Sequence, residues 1–308
     1  MNLALFLLGA LLTLVPAGLA RLDRPVQATH VVMISRAAVP TGFVVLVLAL
    51  IATAAPAALE LVAMSHLAEL CERLIAHTVV GGAPGALVGG AVAALIAASA
   101  SRGMYSAWID QRSSYVEAEV GTHMPGDHCT LVLLDTPHMV AFSSPGTPPQ
   151  VVLSRGAIDG LTTLQQRVVI EHERAHIRQN HHVDLMLINA ARGALRWLPG
   201  ARAGLSYWRE ALEWQADDHA ARVVGSRDEV AATVRNWATT TPNTGLAFNA
   251  AETVDRRLSN LNSQPQHKLI ASIGWLSVAS LWVAGGVVVA RWLVHAHAVT
   301  TAASYCPI

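Results

Sequence analysis

The stretch VVIEHERAHIRQNHHVD, residues 168–184, sets two histidines four residues apart with a glutamate directly after the first. On a helix His172 and His176 share one face, about a turn apart. That spacing lets two imidazoles reach one tetrahedral zinc ion. Glu173 stands beside the first of them, placed to act on a water at the metal rather than to bind the metal itself. Zinc in a protein brings the pKa of its water toward neutrality, and a carboxylate can take that proton as attack on a carbonyl begins. With 14 histidines in 308 residues, the pattern arises by chance at roughly a few per cent, so a third ligand has to decide.

Two residues compete for that place. His182 lies ten residues after His172, a spacing that works where a glycine turns the chain back, but the glycine position here is Gln179. An unbroken helix would carry His182 about 15 Å along its axis from His172, too far to share an ion. His181 and His182 are then expected at the end of the helix, where polar or cationic groups suit its dipole. The stronger candidate is Glu213 in REALEWQADDHAAR, with Asp217 one helical turn on. Such a pair supplies one carboxylate ligand and one partner for the free N–H of a ligand histidine. His219 and Arg257 are candidates for contact with substrate or transition state by residue type alone. Cys71, Cys129 and Cys306 are too scattered to form a thiolate site, so any metal is held by histidine and carboxylate.

The elements that must position these residues are mostly helical. LTTLQQRVVIEHERAHIRQNHHV follows Gly160 without a further Gly or Pro and offers Thr162 or Thr163 as its N-cap. DLMLINAARGALRWL stops at Pro199 and Gly200, and GLSYWREALEWQADDHAARVV stops at Gly225. Two more helices are expected near 228–239 and 251–262. Upstream, CTLVLLD, HMVAF and QVVLS are short apolar runs separated by turn residues, and read as strands. The alanines at 211, 216, 220 and 221 suggest that the helix bearing Glu213 packs closely against a neighbour.

Around this segment the chain reads as membrane protein. It is 53% hydrophobic and 14% charged, with a mean hydropathy of +0.40, where a soluble domain carries about a quarter charged residues. Basic and acidic residues balance at 21 each, which gives no basic excess pointing to nucleic acid. Four segments approach the length a helix needs to cross a bilayer, at about 2–20, 39–64, 79–100 and 269–294. Nothing basic precedes the first, so it reads as a retained span and not a signal peptide. Arg21, Arg24 and Arg36 follow span one, Arg102 and Arg112 follow span three, and Arg256, Arg257 and Lys268 precede span four. Basic residues favour the cytoplasmic side, which places residues 101–268 inside and both termini outside. Cys71 and Cys306 then share the outer face, as a disulfide or as two free thiols.

EHERAH followed by LEWQAD resembles the gluzincin membrane peptidases. The likeness extends further with the BlaR/MecR-type signalling metallopeptidases than with the HtpX and CAAX-prenyl-protease group. PPQVVLSRGAIDGLTTLQQRVVIEHE matches the strand and Leu-Ser-rich helix start before the motif, and three spans before the domain with one after it match as well. The resemblance implies a mainly α polytopic membrane protein. Four transmembrane helices carry a cytoplasmic α+β gluzincin-like zinc peptidase domain (101–268) between spans three and four, with a short outer tail after the last. It implies one zinc per chain on His172, His176 and Glu213, Glu173 as catalytic base, and Asp217 behind a ligand. It also implies that the strand near Val151–Ser154 lies along the cleft and pairs with extended substrate.

The antibiotic sensors of the BlaR/MecR type carry a penicillin-binding domain after the fourth span, where AHAVTTAASYCPI stands here, so a signal is expected to enter by the spans, the short outer loops or a partner. The expected activity is cleavage of a cytoplasmic-side protein at a bacterial inner membrane, with a repressor of the BlaI/MecI kind as favoured substrate. Quality control of membrane proteins, as in the HtpX group, has the same residues and chemistry. A non-catalytic receptor or scaffold with a structural zinc is the third reading, supported by the charged Arg174 inside the motif. The oligomeric state is open, a homo-oligomer included.

Overall fold

The computed structural model describes residues 2–22, 26–61, 83–119, 121–125, 129–240 and 247–263. Three long helices come first: α1 (Asn2–Leu19), α2 (Ala28–Leu61) and α3 (Ala83–Glu119). Ala28–Ile51 is long and apolar enough to cross a bilayer, and Leu5–Leu19 is a shorter apolar helix. The fourth expected span lies outside the described residues, as do residues 79–82 of the third and both Cys71 and Cys306. Cys129 is free and buried.

A four-stranded sheet follows: β1 (Thr122–Pro125), β2 (Thr130–Leu134), β3 (Ala141–Ser144) and β4 (Gln150–Ser154), in the order β1-β2-β4-β3. β4 runs parallel to β2 and antiparallel to β3. This corrects the expectation for Val151–Ser154. Both edges of β4 are already paired and Val151–Ser154 are buried, so its backbone cannot accept another strand. The open edge next to the helices belongs to β3.

Ser154 ends β4 and starts α4 (Arg155–Gly160). Its buried hydroxyl donates to the carbonyl of His138 at 2.6 Å and accepts from the backbone of Val140 and Ala157. The next helix, α5 (Thr163–Arg178), opens on a reciprocal cap. Thr162 Oγ1 accepts from the Gln165 backbone, and Gln165 Oε1 accepts from the Thr162 backbone. Contrary to the single helix expected through residue 183, α5 stops at Gln179. Asn180 turns left-handed at φ 55°, and α6 (His181–Ala194) starts in a new direction. Asn is one of the few residues that adopts this conformation at modest cost. α7 (Ala201–Val224) ends at Gly225, φ 82°, and α8 (Arg227–Thr240) and α9 (Ala247–Asn262) complete the described chain.

The first three helices do not stand apart from the rest. Val31, Val32, Val39 and Leu46 of α2 share one core with Ile188 of α6 and with Leu205, Trp208 and Leu212 of α7. A second core joins β4, α4 and α5 through Val151, Leu153, Ala157 and Val169, and a third joins α5, α7 and α8 through Val168, Ala220, Ala221 and Val234. α6 runs against α3 so closely that a side chain at Gly193 would meet the backbone of Ser99. Across this contact Arg36 of α2 grips the α5–α6 corner. Its Nε and Nη2 donate to the two oxygens of buried Asp184 at 2.6 Å each, and Nη2 also donates to the Gln179 carbonyl at 2.6 Å.

Candidate metal centre

α5 and α7 cross where small residues allow them to approach. Ala175 on one helix and Ala211, Ala216 and Ala220 on the other are wholly buried, which agrees with the close packing expected from the alanines. At the crossing, ligand atoms of His172, His176 and Glu213 lie within 4.8 Å of one another. The two Nε2 atoms are 3.2 Å apart; Glu213 Oε2 is 3.5 Å from His172 Nε2, and Oε1 is 3.8 Å from His176 Nε2. Two imidazoles and a carboxylate converging in this way form a donor set suited to zinc.

The back of each imidazole is held. His172 Nδ1 donates to Asp217 Oδ1 at 2.9 Å, which leaves its Nε2 lone pair facing the other donors. Arg257 binds Asp217 from the far side, Nε to Oδ2 at 2.8 Å and Nη2 to Oδ1 at 2.6 Å, with Nη1 3.7 Å from Glu213. His176 is backed by a residue the sequence reading placed elsewhere. His181, fully buried, sets its Nδ1 2.9 Å from His176 Nδ1, while its Nε2 is 3.2 Å from both Gln179 Oε1 and Gln215 Oε1. Amide oxygens only accept, so His181 Nε2 carries its proton and Nδ1 is the acceptor. His176 Nδ1 must then donate, and its Nε2 lone pair also turns toward the centre. The Asn180 turn makes this possible, and an asparagine in QNHH was the one local sign of it.

Electrostatics agree with a cation site. Burial disfavours charge on His172, but Asp217 and Glu213 outweigh it and push its pKa up to about 10. Burial takes His176 and His181 down to about 4. Burial would raise Glu213, yet its hydrogen bond to His172 and the neighbouring positive charge hold it well below the usual carboxylate range. A proton on His172 thus sits among carboxylates where a divalent cation can replace it. Replacing His181 by Ala should weaken zinc affinity by about 10–100-fold, as loss of a ligand's outer partner does. Competition against a zinc chelator measures it, and unchanged affinity would show that His181 does not hold His176.

Glu173 lines a cleft of about 190 Å³ together with His172, Glu213, Asp217 and Arg257, walled by Ala141 of β3 and by Val234 and Trp237 of α8. Its pKa is raised, chiefly by burial, with Glu213 adding to the rise and His172 and a Ser143 hydrogen bond opposing it. His219 falls outside this group: its Nε2 is 3.7 Å from Glu171, on the other face of α5. Arg174 lies there too and donates to Glu171 at 2.6 Å, so the charge inside the motif is neutralised away from the metal donors. His182 is also absent from the donor set. A larger cavity of about 540 Å³ lies between the start of α2 and Arg222 and Arg227; chemistry, not size, selects the smaller cleft.

An α+β domain holding a His-His-Glu donor set on two crossed helices, with a carboxylate beside the first histidine, defines a metallopeptidase-like class. The profile of peptidase family M48 matches residues 105–269, more than half of the chain, and the chain belongs to that family. M48 is a family of metallopeptidases, typically zinc-dependent. No curated protein matches the chain.

Proposed function

We propose that this chain is an integral-membrane zinc endopeptidase that cleaves a protein at the cytoplasmic face of a bacterial membrane. The observation that carries it is the convergence of His172, His176 and Glu213 within 4.8 Å, with Glu173 opening on the same cleft. His172, His176 and Glu213 would hold zinc, which supplies polarisation of the scissile carbonyl and activation of water. Glu173 takes the proton at its carboxylate and returns it to the leaving amine. Asp217 and His181 fix the two imidazoles, and Arg257 balances the charge of Asp217 and Glu213. Extended substrate adds to the open edge of β3, whose Ala141 borders the cleft.

By the BlaR/MecR-like resemblance the substrate is a transcriptional repressor. Quality-control cleavage of membrane proteins is the second reading, favoured by the core that α6 and α7 share with the apolar helices. Zinc per chain in detergent-purified protein tests the common ground. Wild type should hold about one zinc, lost in Glu213→Ala and kept in His182→Ala. Loss in His182→Ala alone would overturn the ligand set. Comparing repressor fragments with misfolded membrane proteins in wild-type and Glu173→Ala cells separates the two substrates.

A further inference from the structure

From Leu185 to Arg209 the chain contains four arginines, Arg192, Arg196, Arg202 and Arg209, and no lysine, aspartate or glutamate. They cluster around the corner between α6 and α7, and all four are exposed. Arg192 donates to Ser206 Oγ at 3.3 Å; none of the four has a carboxylate partner among the described residues. Among the described residues six arginines elsewhere are paired with carboxylates: Arg36 with Asp184, Arg155 with Asp135, Arg174 with Glu171, Arg227 with Asp218, Arg256 with Glu210 and Arg257 with Asp217. Burial lowers the pKa of Arg192, and the charges of Arg209 and Arg202 lower it further, which places those guanidinium groups within electrostatic reach of one another. The patch therefore holds positive charge that the fold leaves unbalanced.

The same corner borders an apolar groove. A cavity of about 390 Å³ opens between α1, α2, α3 and the end of α6, lined by Phe6, Leu50, Val92, Leu95 and Trp197, with Arg196 in its wall. Trp197 stacks on Phe6 with ring centroids 6.1 Å apart and remains about half exposed. Arg196 thus connects the charged patch to the groove, and Trp197 presents an apolar face beside a polar rim, the arrangement favoured at a membrane interface.

We propose that the α6–α7 corner is a binding site for an anionic phospholipid, with its phosphate on the arginine cluster and one acyl chain in the groove. Guanidinium groups bind phosphate oxygens in pairs of parallel hydrogen bonds, and a cluster of four near a bilayer attracts anionic lipids. A free phosphate or nucleotide would use the arginines but leave the groove wet. A zwitterionic lipid would fill the groove but leave the positive charge unbalanced. The anionic phospholipid satisfies both. This inference depends on the α6–α7 corner and the apolar helices, not on the peptidase reading.

The test is lipid titration of the full-length, zinc-loaded protein in detergent, followed by native mass spectrometry. The probes are dioleoylphosphatidylglycerol, cardiolipin, dioleoylphosphatidylcholine and inorganic phosphate. The anionic lipids should bind at least about tenfold more tightly than phosphatidylcholine. Arg192→Gln/Arg196→Gln/Arg202→Gln/Arg209→Gln should abolish the preference while zinc content stays the same. If that variant does not fold, Arg196→Gln/Arg202→Gln should reduce the preference at least about threefold. Val92→Trp, which fills the groove and leaves every charge, should weaken phosphatidylglycerol binding. Equal binding of all lipids overturns the proposal. Complete displacement of phosphatidylglycerol by millimolar phosphate makes this a phosphate site and also overturns it. So does a dimer that dissociates in the arginine variant, because a second copy would then be the occupant.

Discussion

Glu173→Gln should lower kcat/KM by about 10²–10⁴, the range for loss of a positioned general base, and leave zinc content unchanged. The substitution keeps the shape of the side chain and removes its ability to take a proton. Glu173 is separated from the donor set by direction, since His172, His176 and Glu213 converge without it, and it opens on the same cleft. Burial, the largest influence on it, moves its pKa upward and makes the carboxylate a better proton acceptor than an exposed glutamate. Zinc by elemental analysis and cleavage of a fluorogenic peptide, side by side, read the two effects independently. Unchanged cleavage would remove Glu173 from the chemistry. Loss of zinc with activity would make it part of the metal support.

The second large effect is on stability. Asp217→Ala should destabilise the zinc-free protein by about 3–5 kcal/mol, the cost of removing one member of a buried ion pair. Asp217 is 1% exposed and serves two partners, accepting from His172 Nδ1 and binding Arg257 through two hydrogen bonds. Removing it leaves a largely buried guanidinium facing Glu213, 3.7 Å away, and the charge of Glu173, and an imidazole N–H without an acceptor. Denaturant melts in detergent with a chelator present measure stability apart from metal binding. Asp217→Ala/Arg257→Met should recover much of the loss, because the orphaned charge leaves with its partner. A change below about 0.5 kcal/mol, the range of an ordinary surface substitution, would mean that Asp217 is not the support of the centre.

The convergence of His172, His176 and Glu213 was legible because helical periodicity is local. HExxH and ExxxD each place two side chains on one face whatever surrounds them, and Thr162 and Gly225 mark helix ends by chemistry that acts over three or four residues. His181 was not legible, because its contact with His176 depends on the Asn180 turn and on Gln215, 34 residues away in the chain. The exchange of roles between β3 and β4 has a similar cause. Both are short apolar strands in sequence, and only the long-range order of the sheet decides which one keeps an open edge. The partners of α2 were hidden for another reason. Val31, Val32 and Val39 suit lipid tails and protein cores equally, so hydropathy does not distinguish a face toward the bilayer from one against Trp208 and Leu212.

Arg36 and its neighbours on α2 separate two boundaries that often coincide. Family likeness begins at residue 105, whereas the hydrophobic core that carries α7 begins with the first two helices. The segment recognisable by descent is shorter than the segment that folds. Residues 105–269 contain His172, Glu173, His176 and Glu213, yet alone they would bare one side of Trp208 and Leu205 and leave Asp184 without its guanidinium. Sequences outside the recognised boundary thus belong to the peptidase as structural material, and the domain's limits are set by packing, not by ancestry.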